Sequence, residues 1–140
     1  MPIVTPTIHF AGTCESAIAL YKEAFGAQVS VFLRYSDANP GDYTFPAEYK
    51  DLVYHSELII GQSRLMMSDD MRLDGQNTRG PIHLTVTLDT AEDVKKAFAC
   101  IARRGEVLEA VQSTTYSSAM GSVIDEFGVR WGIMTEQTQK

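Results

Sequence analysis

Hydrophobic and polar positions along the chain change their period several times, and each change marks an element. Residues 3–11 alternate loosely and are rich in β-branched side chains, which predicts a strand. Gly12 and Thr13 then open a helix, with Thr13 as the N-cap. Ala17, Leu20, Tyr21 and Ala24 form its apolar stripe, and Gly26 closes it. Residues 28–35 alternate again, with Val29, Val31 and Leu33 set against Ser30, Phe32 and Arg34. Residues 36–51 hold Pro40, Gly41, Pro46 and the aromatics Tyr43, Phe45 and Tyr49, and read as a long loop. Residues 52–60 and 64–68 are strands joined by a Gly61-Gln62 turn.

Residues 69–81 are polar and lack periodicity, so a linker is placed at 70–80. After it the same order returns. Residues 82–88 form a strand. Thr90 caps a helix whose buried face is Val94, Ala97, Phe98 and Ile101, and Gly105 ends it. Residues 106–111 form a strand, 113–122 a Ser/Thr-rich loop, and 123–125 with 130–135 a hairpin turned by Phe127-Gly128. The chain is thus an element-level repeat of strand, helix, strand and hairpin. An offset of 77 lays Glu15-Ser16-Ala17 on Glu92-Asp93-Val94, Tyr21 on Phe98 and Pro6 on His83. The expected organisation is one compact domain of two modules, 1–69 and 81–140, of α+β class.

Composition narrows the function classes. With 44% hydrophobic and 21% charged residues, the chain is an ordinary globular sequence. Its net charge of -6 argues against binding to a nucleic-acid backbone. No apolar run approaches the ~18 residues of a membrane span. Residues 1–6 lack a basic and apolar leader, so a cytoplasmic location is expected. Cys14 and Cys100 have no CxxC partner and are expected to be reduced packing residues.

Four stretches carry a resemblance: residues 17–26, AIALYKEAFG; residues 55–61, HSELIIG; residues 65–69, LMMSD; and residues 125–131, DEFGVRW. In this order and spacing the chain resembles the glyoxalase/bleomycin-resistance superfamily, also called vicinal oxygen chelate proteins, and within it the PhnB-like branch. It departs from that branch at residues 116–121, YSSAMG, where a Trp-Gly pair is usual. The resemblance implies two βαβββ modules forming a cupped, incomplete barrel around a shared cleft, with helices outside. It also implies a homodimer. The chemistry of the superfamily ranges from isomerisation and ring opening to drug sequestration, so the fold does not fix the function.

The residues add detail. In the strand at 82–88, Leu84, Val86 and Leu88 should meet the helix, while His83, Thr85 and Thr87 should face the cleft. A polar inner face is unnecessary in a simple core, because buried polar groups cost free energy unless paired. His55 and Glu57, two apart on one strand face, can share a proton or hold a cation. Phe32 and Met67 are placed as apolar walls of the cleft. Arg34 and Arg130 fall in phase with it and could pair with an anionic group. His9 and Trp131 fall on the helix side, Tyr116 on a rim, and the loop aromatics in a lid or dimer contact.

Metal-dependent members of the superfamily take ligands from the first and last strand of each module. By resemblance these positions fall on Pro6, Leu65, His83 and Gly132, of which only His83 can ligate a first-row divalent ion. No metal and no cofactor are therefore expected. There is no Gly-x-Ser-x-Gly elbow and no phosphate-cradling glycine loop. The leading expectation is small-molecule binding in the inter-module cleft by His83, His55, Glu57, Thr85, Phe32, Met67, Arg34 and Arg130, with catalysis left open. The alternatives are a metal-dependent lyase, isomerase or dioxygenase using His55, Glu57 and His83, and a structural dimer with a vestigial cleft.

Overall fold

The structure, a computed structural model, describes residues 1–39, 45–71 and 81–136. The chain divides into two compact units, Met1–Asp74 and Gly75–Lys140. The expected linker falls mostly outside the described residues, as does Tyr43.

The first unit runs β1 (Thr7–Phe10), α1 (Cys14–Phe25), β2 (Gln28–Arg34), β3 (Val53–Ile60) and β4 (Ser63–Asp69). Its sheet has the order β1-β4-β3-β2, with β1 parallel to β4 and the other pairs antiparallel. The second unit runs β5 (Leu84–Leu88), α2 (Ala91–Ala102), β6 (Glu106–Gln112), β7 (Met120–Ile124) and β8 (Arg130–Thr135). Its sheet repeats the pattern as β5-β8-β7-β6, with β5 parallel to β8. Both sheets are open and mixed, so the chain is α+β and the repeated element order is real. In each unit the helix packs on one face of the sheet.

Local chemistry explains the helix ends. Gly26 ends α1 at φ 67°, a left-handed conformation that a side chain disfavours. Thr90 caps α2, its hydroxyl accepting the Asp93 N–H at 3.0 Å. Thr13, expected to do the same for α1, makes no such bond. The buried carboxylate of Asp69, at the end of β4, takes that role. Its Oδ1 accepts the N–H groups of Gly12 at 3.0 Å and Cys14 at 2.9 Å, and Oδ2 accepts Val53 N–H at 3.0 Å. A carboxylate from a neighbouring strand thus supplies an acceptor and negative charge at the helix N-terminus.

The core of each unit lies between helix and sheet. Ala17, Ile18 and Tyr21 are buried from α1, against Leu58, Leu65 and Met67. Val94, Ala97, Phe98 and Ile101 are buried from α2, in a core with Val123, Trp131 and Ile133. Each large apolar side chain so buried contributes on the order of 1.5–3 kcal/mol. Trp131 is on the helix side, as its phase implied, and its indole N–H reaches Asp125 Oδ2 at 3.0 Å.

Three strand starts differ from expectation. β1 and β5 start at Thr7 and Leu84, later than residues 3 and 82. β7 begins at Met120, inside the stretch expected to be loop. That stretch is hydroxyl-rich because Ser117 fastens it to β8, bonding Thr135 Oγ1 at 2.7 Å and accepting Thr135 N–H at 3.2 Å.

Candidate functional site

The face of each sheet opposite its helix is where side chains can meet a ligand. In the second unit, β5 and β8 pair Thr85 with Gly132, and β7 and β8 pair Ser122 with Gly132. β6 then pairs Glu109 with Ser122, whose hydroxyl donates to Glu109 Oε1 at 3.4 Å. A polar row therefore crosses the open face, broken in the middle by a residue with no side chain. His83, just before β5 and exposed, fills the gap. A Cβ built at Gly132 would lie 3.3 Å from both Cδ2 and Nε2 of its ring and 3.4 Å from Thr85 Oγ1. Met120 pairs with Met134 farther along the same face, and Tyr116 donates its hydroxyl to Met120 Sδ at 3.0 Å. Arg130 shares the alternation of Gly132 and Met134. Ser122, Glu109 and the two methionines were not foreseen as site residues. The signal was hidden by reading the start of β7 as loop.

In the first unit the open face carries a hydrogen-bonded network. His55 Nε2 and Glu57 Oε2 are 2.8 Å apart, and Arg64 Nη1 donates to Glu57 Oε1 at 3.2 Å. An ionised carboxylate only accepts, so in that state Nε2 is the protonated nitrogen of His55. The bond from His55 first, and the charge of Arg64 with it, hold Glu57 below the usual carboxylate range against desolvation. The pairing expected of His55 and Glu57 is thus present, with Arg64 as an additional member. Arg64 Nη2 also reaches Thr5 Oγ1 at 3.5 Å.

Four expected placements are corrected. Met67 is fully buried and pairs with Ser56, itself fully buried, whose hydroxyl donates to the Met67 carbonyl at 2.7 Å. It belongs to the helix side and is no wall of an open face. Its neighbours Leu65 and Met66 are also apolar, so the strand had no alternation to fix its phase, and a slip of one residue inverts every side chain. Phe32 likewise pairs with Ser56, and the Arg34 guanidinium stacks over its ring at 4.8 Å on the way to Glu15 of α1. Both therefore lie on the α1 side. The two residues stay on one face as counted, but that face is the one toward α1, which pairing with β3 decides and β2 alone does not. His9, expected against the helix, is exposed beside Ser68, with Nδ1 2.9 Å from its hydroxyl. Of the loop aromatics, Phe45 packs on Tyr35 with ring centroids 5.3 Å apart.

The same registers test the metal positions. Leu65 and Trp131 are equivalent, being the buried residues that face Leu58 and Val123. Met66 is then the counterpart of Gly132, Thr7 of Thr85, and Thr5, in place of Pro6, of His83. The four positions are Thr5, Met66, His83 and Gly132. In the first unit these positions hold a hydroxyl and a thioether, and in the second an imidazole and a glycine; neither pair is by itself a donor set for Zn, Fe, Ni or Mn. No group of three His, Cys, Asp or Glu among the described residues is placed to hold a metal.

Residues 5–133 match the family described as the Glyoxalase/Bleomycin resistance protein/Dioxygenase superfamily. The chain belongs to that superfamily. It is 29% identical to the protein YjdN of Escherichia coli K12, over 99% of this chain and 98% of that one. The crystal structure of protein PA1353 from Pseudomonas aeruginosa is similar with a TM-score of 0.81 and 25% identity, over 99% of this chain and 100% of that one. A PhnB protein from Bacillus cereus has a TM-score of 0.76 at 24% identity, over 96% of this chain and 99% of that one, and shares the fold. These similarities span both units. Among the described residues, no helix is long and apolar enough to cross a membrane.

Proposed function

We propose that the protein binds a small organic molecule on the open sheet face of the second unit, with His83 and Thr85 as its polar anchors. The observation that carries this reading is the exposed imidazole of His83 resting on Gly132 beside Thr85, in a polar row that continues to Ser122 and Glu109. A folded domain has no need of such a row for stability, whereas a binding face needs a few fixed polar groups beside apolar area. Met120, Met134 and Tyr116 supply that area. Arg130 adds positive charge for an acidic ligand group. His55 and Glu57 give the first unit a polar open face of its own.

The test is a thermal-shift screen with small organic acids, alcohols and aromatic amides. A ligand at 100 times its Kd stabilises by about 2.7 kcal/mol. His83→Ala should abolish the shift of any compound found while leaving the melting temperature near wild type. Full affinity in His83→Ala would overturn the reading.

The same proposal includes a homodimer. β2 and β6 are edge strands, and Val29, Leu33 and Val107 are exposed on them. Unpaired edges of this kind favour coverage by another chain. A monomeric mass by light scattering at micromolar concentration would count against it.

A further inference from the structure

We infer that Gly132 is the positioning residue that makes His83 a hydrogen-bonding group for a ligand and takes the second unit out of divalent-metal chemistry. This deepens the reading above, since it concerns the same face. Gly132 is not among the glycines with positive φ, which are Gly12, Gly26, Gly61 and Gly128. Its conformation is one that any residue adopts, so the absence of a side chain is a matter of space. That space is taken by β5 and the residue before it. The Cδ2–Nε2 edge of His83 and the hydroxyl of Thr85 both lean onto the glycine, at 3.3 Å and 3.4 Å from the place of a Cβ.

Two consequences follow. First, β8 offers no donor at the position that faces His83, and the imidazole has closed over it. Within this unit a cation would find one nitrogen and a weakly ligating hydroxyl, where first-row ions need at least three good donors. Secondly, the His83 ring rests at Gly132 through Cδ2 and Nε2 while the residue as a whole stays exposed. A ligand that approaches this face meets an exposed imidazole beside a threonine hydroxyl. The ligand class is therefore a neutral or anionic molecule with hydrogen-bonding groups, bound without a bridging cation.

Cobalt(II) alone is the probe, because its visible bands report coordination by nitrogen and oxygen donors. Wild-type protein with one equivalent of Co(II) at micromolar concentration should show no bands beyond those of the aqueous ion. Gly132→Glu places a carboxylate beside His83 as a second good donor and should raise Co(II) affinity by roughly tenfold or more. The gain should vanish in the double variant with His83→Ala. Should Gly132→Glu fail to fold, Gly132→Ala serves instead. Its single methyl must displace the ring, so the imidazole NMR signals of His83 should move while the melting temperature stays within a few degrees of wild type.

Stoichiometric Co(II) binding by the wild type, lost in His83→Ala, would overturn the inference. So would a folded Gly132→Glu with no gain in affinity, or a Gly132→Ala whose His83 signals stay in place. A failure of the ligand screen would instead count against the proposed function and leave this result standing, so the two are separable.

Discussion

The guanidinium of Arg34 meets the carboxylate of Glu15 through two contacts of 3.0 Å, Nη1 to Oε1 and Nη2 to Oε2. The pair ties the end of β2 to the first turn of α1, and Nη1 also donates to the Asp51 carbonyl at 2.7 Å. With its donors directed at Glu15 and Asp51, Arg34 serves the structure of the first unit. Arg34→Ala should lower the melting temperature slightly and leave ligand affinity unchanged. Glu15→Ala should have a similar effect, and the double variant should be no worse than the sum, as double-mutant analysis would show. The hydrogen bond from Arg34 first, and its charge as well, hold Glu15 below the usual carboxylate range. Its contribution is thus full above the ordinary glutamate pKa and is lost as pH falls through its lowered value. The difference in stability between wild type and Arg34→Ala should shrink at acidic pH and in high salt. A difference that grew on acidification would contradict this pairing.

Asp125 and Trp131 give a second test. The carboxylate is buried and accepts three N–H groups: Phe127 and Val129 at 2.9 Å each on Oδ1, and the indole of Trp131 at 3.0 Å on Oδ2. It shapes the Gly128 turn and fixes the tryptophan beneath α2. In Asp125→Asn, one oxygen becomes an NH2 group facing an N–H donor, so at least one bond is lost. The expected destabilisation is about 1.5–3 kcal/mol in urea. Trp131 is the chain's only tryptophan, so its fluorescence reports this unit directly. An unchanged midpoint would show that the turn holds without the carboxylate.

Gly121 tests the packing between α2 and β7. A Cβ there would lie 2.7 Å from Phe98 Cε1, closer than carbon atoms allow. Phe98 is buried and has little room to withdraw. Gly121→Ala should cost about 1–3 kcal/mol through overpacking. Gly121→Ala combined with Phe98→Leu should recover part of the loss, because the shorter side chain vacates the contact. Absence of any recovery would place the strain elsewhere.

The fold was largely legible in the sequence, and the site only in part. Apolar stripes such as Ala17–Tyr21 and Val94–Ile101 name a helix face without reference to the rest of the chain, because their period is intrinsic. The alternation of His83, Thr85 and Thr87 with Leu84, Val86 and Leu88 was legible for the same reason. β4 was not, because Leu65, Met66 and Met67 are apolar on both faces and only the ladder to Ser56 and Glu57 decides which points where. Phe32 and Arg34 were misplaced together, because β2 alone does not show which of its faces meets α1; the pairing of Phe32 with Ser56 does. His9 and Pro6 were misplaced by one residue because the offset that aligned the helices was carried over to the first strands. Register is a property of paired strands, and a single sequence does not print it. The capping role of Asp69 was hidden likewise, since its partners Gly12 and Cys14 lie more than fifty positions away.

The two cysteines yield the last prediction. Cys14 is fully buried at the start of α1, and its thiol is pushed up to about 12 by burial first and then by the charge of Asp69, against a hydrogen bond from Ser56. At pH 8 such a thiol is ionised to about one part in ten thousand, and the thiolate is the species that attacks disulfide reagents. Cys100, near the end of α2, is only partly buried, with Arg103 Nη2 3.4 Å from its sulfur. An aromatic disulfide reagent should therefore modify one thiol promptly in the native protein, and mass mapping should place it at Cys100. The second thiol should react only in denaturant, or at a rate that tracks opening of the α1–β4 junction. Because the Cys14 N–H is one of the groups held by Asp69, Asp69→Asn should speed its modification well before it affects Cys100. Equal rates at both thiols in the native protein would mean that the junction opens freely, and that the Asp69 carboxylate does not secure the start of α1.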